Sequence, residues 1–279
     1  MRLSQSRIFI LAILALLVAA GAGCSLVGKV RAKNELNEAA KAYKDGHFDV
    51  AEQHAKRALD LDPTNKTATI FVARIIHQQY KPGVDAPENV QRARDAIEGY
   101  KRVLQNDPNN EEAYKAISVL YAATKDEDNL RKWITARASD ASKSNEQRAE
   151  AYAILAGKDW DCSFKITELP DVKVMAGEGQ VNYQKPKDEK DFGMIQRCVT
   201  RGLESAETAI KFDPNNESAW SYKTNLLIEA AKIAKMNGEA DKATEYEKQA
   251  GIAQKRATAL SEERRKREEA AEAATSPTP

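Results

Sequence analysis

The side chains that offer the most chemistry in this chain are three cysteines and three histidines. No Cys-x-x-Cys pair occurs, so the sequence lacks the usual spacing of a zinc site or a redox dithiol. His47 is expected in a turn, His54 on an exposed helix face and His77 at the end of a largely buried helix. None has a serine or cysteine neighbour that would suggest a catalytic triad. The sequence therefore predicts no metal site and no cofactor.

Three acidic residues, Asp159, Asp161 and Glu168, could form a pair of catalytic carboxylates. In a chain with 30% charged residues, such acids are more commonly solvated at the surface. The segment "AGEGQ" lacks both the Lys-Ser/Thr pair and the following helix that a phosphate-binding loop requires. We therefore interpret the chain as non-catalytic.

Cys24 ends an N-terminal segment that differs in composition from the rest of the chain. Arg2 and Arg7 precede an uninterrupted apolar run from Ile8 to Ala20, and "GAG" separates this run from Cys24. This layout is typical of a secretory signal. It resembles a bacterial lipoprotein signal peptide, which implies that residues 1–23 are removed and that the cysteine is lipidated, with palmitate among the acyl groups.

The residues after Cys24 suggest where the chain resides. Residues 24–31 are expected to form a tether to the membrane. By analogy with the sorting rule of such lipoproteins, Ser25 implies the outer membrane of the cell envelope, facing the periplasm. The alternative is an uncleaved anchor helix from Ile8 to about Val27, which is long enough to span a bilayer.

The two remaining cysteines, Cys162 and Cys198, form an even pair in a chain expected in an oxidising compartment. A disulfide between them would close a loop of about 37 residues and stabilise the fold by roughly 3–4 kcal/mol. The alternative is two buried free thiols that pack as small apolar groups.

One phrase occurs three times, as "LDPTNKTAT" from Leu61, "NDPNNEEAY" from Asn106 and "FDPNNESAW" from Phe212. Proline cannot continue a helix, and asparagine is favoured at the position that caps the next one. Each phrase therefore predicts the end of one helix and the start of another, with Asn110 as the cap in the second copy.

Residues 32–65 read as a helix, a glycine-containing turn, a second helix and an Asp-Pro ending. Small residues and the proline recur at fixed positions of this unit, namely Ala39, Ala51, Ala58 and Pro63. This pattern resembles the tetratricopeptide repeat (TPR), in which small side chains let two antiparallel helices cross closely. Four further units align on a pair formed by alanine and a large residue or threonine: Ala68-Thr69, Ala113-Tyr114, Ala151-Tyr152 and Ala219-Trp220.

The helical pattern stops at residues 158–191, which we expect to form an inserted loop. The runs "SFKIT", "VKVMA" and "QVNY" favour β-structure, and "GEG" favours a turn. The sequence therefore predicts an irregular loop with a small hairpin, packed against the repeats by its apolar residues.

The remaining segments limit the choice of partners. The formal net charge is +1, which gives no indication of a nucleic-acid partner. The run "KRATALSEERRKREEAAEAA" predicts a solvated, mixed-charge helix at the C-terminus. Residues 272–279 are expected to be a disordered tail, which leaves 32–271 for the repeats.

The fold class expected from these features is all-α, a right-handed TPR-type solenoid of about five helix pairs with one loop/small-β insertion and a long C-terminal helix. The resemblance implies a concave groove that binds a protein or peptide. The expected function is a membrane-tethered, non-catalytic scaffold or adaptor. The alternatives are a self-assembling structural envelope protein, or an enzyme or small-ligand binder that uses the insertion. The groove candidates come from the first helix of each repeat, which we call the first helices: Arg74, His77, Lys115, Tyr121, Asn225 and Glu229.

Overall fold

The computed structural model describes residues 26–176 and 180–275, which form ten helices and one two-stranded hairpin. The chain divides into two compact units, Met1–Leu130 and Arg131–Pro279. The first unit contains α1 (26–44), α2 (Phe48–Leu61), α3 (Lys66–Gln79), α4 (Pro87–Asn106) and α5 (Glu111–Ala123). The boundary lies within α6 (Glu127–Ser139), and the second unit continues with α7 (Asn145–Thr167), β1 (Lys173–Ala176), β2 (Gln180–Tyr183), α8 (Glu189–Phe212), α9 (Glu217–Met236) and α10 (Ala240–Thr275).

The repeated Asp-Pro phrase separates helices in the manner that the sequence predicts. The side chains of Asn65, Asn110 and Asn216 each accept a hydrogen bond from the backbone N–H three residues later, at 2.9 to 3.0 Å. These bonds satisfy N–H groups that have no partner inside the following helix. The predicted capping role of Asn110 is confirmed, and Asn65 and Asn216 play the same role in the other two copies of the phrase.

The small residues of the repeat pattern lie in the core of the first unit. Ala39, Ala51 and Ala58 are each fully buried. Ala58 packs with Ala32 and Ala68, so fully buried alanine side chains join α1, α2 and α3 at this point. Short side chains permit close helix–helix distances, which explains the spacing of the pattern. The predicted all-α fold with TPR-type helix pairs is confirmed within each unit.

The insertion contains the predicted hairpin but is shorter than predicted. β1 and β2 pair antiparallel, with Val174 opposite Asn182 and Met175 opposite Val181. The strands coincide with "VKVMA" and "QVNY", as the sequence indicates. "SFKIT", by contrast, is the last part of helix α7, which continues to Thr167, and helix α8 already begins at Glu189. The predicted bounds of 158–191 are therefore wrong at both ends.

The extension of α7 has a physical reason that apolar periodicity does not reveal. Asp159, Ser163 and Thr167 are fully buried and lie at helical spacing after the buried Ala156. The inner face of this helix is thus polar where a core helix is usually apolar. Because the face carries oxygen atoms instead of methyl groups, the hydrophobic pattern ends before the helix does.

The predicted domain ends also require correction. Residues 26–31, expected to be a tether, are part of α1, and residues 272–275, expected to be disordered, are part of α10. Alanine and glutamate dominate the end of α10, and both favour helix. The signal peptide, Cys24 and Ser25 lie outside the described residues. Among the helices that are described, none combines the length and hydropathy needed to cross a membrane.

Candidate functional site

An open cleft of about 610 Å³ lies in the amino-terminal unit between α1 and α3, the first helices of its first two repeats. Both helices carry lining residues on one side, so the cleft follows the face that the repeat pattern assigns to ligand binding. Its lining residues are Lys29, Lys33, Leu36, Asn37, Ala40, Asp62, Asn65, Thr67, Phe71 and Arg74.

Local interactions fix the walls of this α1–α3 cleft. Leu36 packs against the alanine contact that joins α1, α2 and α3. Phe71 lies beside Tyr43 of α1, with ring centroids 5.6 Å apart. Asn65 caps α3 and also lies on the rim, so the residue that begins the helix is part of the cleft. The cleft therefore combines an aromatic and aliphatic floor with a polar rim.

The charges on the rim are unevenly compensated. Lys29 and Lys33 form no ion pair with a carboxylate of the described residues. Arg74, by contrast, donates two hydrogen bonds to Glu112 of α5. This pair raises the pKa of Arg74 and lowers the pKa of Glu112. The two lysines are thus the cations that remain available to an anionic group in the cleft.

Of the six groove candidates, only Arg74 lines this cleft. His77 lies against Tyr100 of α4, with its Nδ1 3.3 Å from the tyrosine hydroxyl and the two rings edge to face. Burial lowers the pKa of His77 and raises that of Tyr100 to about 12. His77 is therefore a half-buried, largely uncharged packing residue.

The two candidates on α5 are placed differently. Lys115 is exposed and Tyr121 is half-buried. Tyr121 lies near Lys101 of α4, and it contributes with Glu98, the stronger partner, to the raised pKa of that lysine. Neither Lys115 nor Tyr121 lines the α1–α3 cleft.

The two candidates on α9 lie in the second unit and are not part of one site. Asn225 lines a polar cleft of about 300 Å³ between α9 and α10. Glu229 is only 1% exposed, so its assignment to an open groove is wrong. Its carboxylate accepts hydrogen bonds from the hydroxyls of Ser163 and Thr167, at 2.7 and 2.8 Å. It is an internal acceptor between α7 and α9.

Lys232 completes this internal network and connects it to the insertion. Its Nζ donates to Glu229 at 2.7 Å and to Glu168 at 3.3 Å, and it lies 4.5 Å from the ring centroid of Tyr183 in β2. Burial by itself disfavours the charge of Lys232, but the hydrogen bonds to both carboxylates raise its pKa overall. The hairpin is thus attached to α9 through the contact of the Tyr183 ring with Lys232, whose charge is paired with the buried Glu229.

The carboxylates considered for catalysis form ion pairs instead. Asp159 is fully buried and accepts hydrogen bonds from Arg131 at 2.7 Å and from Arg201 at 3.0 Å. A disulfide joins Cys162 of α7 to Cys198 of α8, whose Cα atoms are 6.2 Å apart. The network and the disulfide both connect α7 and α8 next to the insertion, which indicates a structural role. No cluster of metal-ligating side chains occurs among the residues described.

The assignment of residues 24–31 to a tether excludes Lys29 from the predicted groove. Lys33 and Phe71 lie on helices that the repeat pattern predicts, but they are not among the six groove candidates. A usable signal was present. Lys33 and Asn37 are four residues apart, which places them on one face of a helix. Phe71 occupies the corresponding face of the next first helix.

The helix pairs and the buried small residues together form a TPR-type helical fold. Several solved structures are similar to this chain at low sequence identity. MamA from Desulfovibrio magneticus RS-1 is 13% identical over 81% of this chain and 96% of its own, with a TM-score of 0.38. YrrB, a TPR protein with an unusual peptide-binding site, is 12% identical over 82% and 90%, with a TM-score of 0.37. PilF from Pseudomonas aeruginosa is 12% identical over 78% and 90%, with a TM-score of 0.35. No protein-family model and no curated protein matches the chain.

Proposed function

We propose that this protein is a non-catalytic adaptor of the cell envelope that binds an extended segment of another protein in the α1–α3 cleft. The observation that carries the proposal is an open cleft with an aromatic floor whose rim holds two lysines without carboxylate partners among the described residues. Peptide segments bind such faces through side chains supplied by several helices. The free cations favour a segment with acidic side chains or a terminal carboxylate.

Selection from a displayed peptide library tests this proposal. The full chain, held in detergent, is expected to enrich peptides with acidic residues. Their affinity is expected to fall about tenfold in the Lys33→Glu variant, as for the loss of one charge-assisted contact. The control is Arg94→Glu, which reverses an exposed cation on α4 outside the cleft. Equal affinity for both variants would show that the cleft is not the binding site.

The membrane tether is a separate part of the proposal. It is supported by the sequence around Cys24, in which an apolar run and small residues precede the cysteine. We propose that the chain is lipidated at Cys24 and faces the periplasm from the outer membrane. Cys24→Ala is expected to abolish incorporation of a palmitate analogue and to change the fractionation of the protein. Fractionation with inner-membrane markers in the unsubstituted chain would contradict the outer-membrane assignment.

Self-association through the hairpin is a second candidate function. Met175 and Val181 lie opposite each other in the two strands and are 70% and 40% exposed. Exposed apolar pairs of this kind are common at contacts between proteins. Sedimentation at several concentrations tests this candidate, since association should weaken in the double variant Met175→Ser/Val181→Ser. A strict monomer at all concentrations would rule it out.

A further inference from the structure

The amino-terminal turns of α1 present an apolar face that no other part of the described chain covers. Leu26, Val27 and Val30 are 68%, 52% and 59% exposed. At about 100° per residue, these three side chains fall within roughly a third of the helix circumference. The opposite side of α1 is buried, because Ala32 lies in the core. The exposed stripe is therefore separate from the face that holds α1 in the unit.

Cations flank this stripe on both sides. On the same helical projection, Lys29 lies to one side of the three apolar residues and Arg31 to the other, and both side chains are exposed. Neither forms an ion pair with a carboxylate of the described residues. An apolar stripe between two unpaired cations is the pattern of a helix that lies on an anionic lipid surface.

The position of the stripe in the chain indicates the same occupant. Leu26 follows directly after the cysteine and serine that end the N-terminal segment, and the apolar run of residues 8–20 is only a few residues away. The last residue of α2, Leu61, lies beside the amino-terminal end of α1. A Cβ added to Gly28 would be only 2.9 Å from the carbonyl oxygen of Leu61. A membrane attached at Cys24 would therefore meet this end of the unit first.

We propose that the α1 stripe, Leu26, Val27 and Val30 with Arg31, contacts the anionic surface of the membrane to which the chain is tethered. The proposal rests on the tether proposed above. It adds that the folded unit is held against the lipid headgroups and does not hang free from its anchor. The acyl boundary takes the apolar side chains and the phosphate groups take Arg31, while Lys29, on the edge toward the α1–α3 cleft, remains with the cleft.

Quenching of tryptophan fluorescence by brominated lipids tests the contact in the full chain. Vesicles contain equal parts phosphatidylglycerol and phosphatidylcholine, with bromine on the acyl chains. The emission that Val30→Trp adds to the wild-type signal is expected to be quenched. Val50→Trp serves as the matched control, because Val50 is 46% exposed on α2 and lies near the opposite end of α1. Its added emission is expected to remain.

The charge dependence is tested in the Val30→Trp background. Arg31→Gln is expected to lower the ratio of protein whose stripe contacts the membrane to protein whose stripe is free about fivefold on the anionic vesicles. Lys44→Gln is the control, because this exposed lysine lies about 20 Å further along α1. On vesicles of phosphatidylcholine alone, the Val30→Trp protein that keeps Arg31 should be quenched as weakly as the Arg31→Gln variant is on the anionic vesicles.

The outcomes separate this inference from the tether. If the chain floats with the vesicles but Val30→Trp stays unquenched, the tether stands and the contact is wrong. If the chain does not float, both proposals fail. If the added tryptophan becomes shielded without vesicles as protein concentration rises, a second copy covers the stripe and the lipid proposal is overturned.

Discussion

The first-helix face is open in the amino-terminal unit and filled in the carboxy-terminal unit. Between α1 and α3, Lys33 and Phe71 line a cleft of about 610 Å³. On α9, Glu229 and Lys232 are 1% and 7% exposed, and the ring of Tyr183 from the insertion lies over Lys232. The same kind of helix pair thus presents polar side chains to a ligand in one unit and buries them as internal partners in the other.

This difference shows that partners on neighbouring helices decide what a polar residue of a first helix does. A carboxylate on a first helix is a groove residue only if nothing else bonds to it. Glu229 has the hydroxyls of Ser163 and Thr167 and the ammonium of Lys232 as partners, so a ligand would have to displace all three. Binding is therefore expected to reside in the first unit, where the α1–α3 cleft is open.

The largest expected effect concerns the disulfide beside the filled face. Cys162 and Cys198 are 36 residues apart, so replacing both by Ala is expected to destabilise the second unit by about 4 kcal/mol. Urea unfolding monitored by tryptophan fluorescence reports this unit alone, because Trp133, Trp160 and Trp220 all lie within it.

The oxidation state and the first unit serve as controls for this variant. Mass spectrometry of the untreated protein should find no free thiol at either cysteine. Peptide binding in the α1–α3 cleft should be unchanged after both substitutions. A double variant as stable as the wild type would mean that the disulfide is not needed to hold α7 and α8 together.

The next effect concerns the buried ion pair. Glu229→Ala leaves Lys232 buried without its nearest carboxylate, which is expected to destabilise the second unit by about 3 kcal/mol. The double variant Glu229→Met/Lys232→Met removes both charges and should recover most of the loss. Tryptophan fluorescence in urea again measures the change. If Glu229→Ala instead weakened peptide binding without loss of stability, the glutamate would be a groove residue after all.

The parts of the fold that depend on short sequence segments could be predicted. The capping by Asn110 and its equivalents is a bond between residues three positions apart, so the phrase itself specifies it. The burial of Ala51 and Ala58 follows from their spacing on one helix face. The hairpin could be predicted from its β-branched runs and the intervening turn.

The contacts that depend on distant residues could not be predicted. Asp159 looks like a surface acid in sequence, and only Arg131 and Arg201, 28 and 42 residues away, reveal why it is buried. Glu229 bonds to Ser163 across 66 residues. The cleft was missed for a different reason, since the repeat pattern predicts both of its helices but Lys33 and Phe71 were not among the groove candidates.

The third prediction concerns pH and distinguishes the units, because all three histidines lie in the first one. Burial lowers the pKa of His77 from its ordinary value of 6.5, so the unfolded chain takes up the proton more readily than the folded one. Stability of the first unit is therefore complete above pH 6.5 and falls as the pH decreases below it. Hydrogen exchange of α3 and α4 amides measures the loss.

The matched variant for this prediction is His77→Phe. This variant keeps an aromatic ring against Tyr100. It is expected to destabilise the first unit by about 1 kcal/mol at pH 8 through the lost hydrogen bond. It should also abolish the loss of stability between pH 6.5 and 5.5. The exchange of α8 and α9 amides provides the internal control. A loss of the same size in the variant would assign it to another group.

The smallest expected effect concerns the exposed ion pair on the open side. Arg74 and Glu112 are 46% and 44% exposed, and exposed pairs contribute roughly 0.2–1 kcal/mol when both side chains reach water. Glu112→Ala should therefore leave stability nearly unchanged, in contrast to Glu229→Ala. It also frees Arg74 at the rim, so acidic peptides should bind the cleft somewhat more tightly, and more so at low salt. Peptide titration at two salt concentrations measures this gain. Weaker binding would mean that Glu112 orients Arg74 toward the ligand, and that the pair belongs to the recognition surface and does not compete with it.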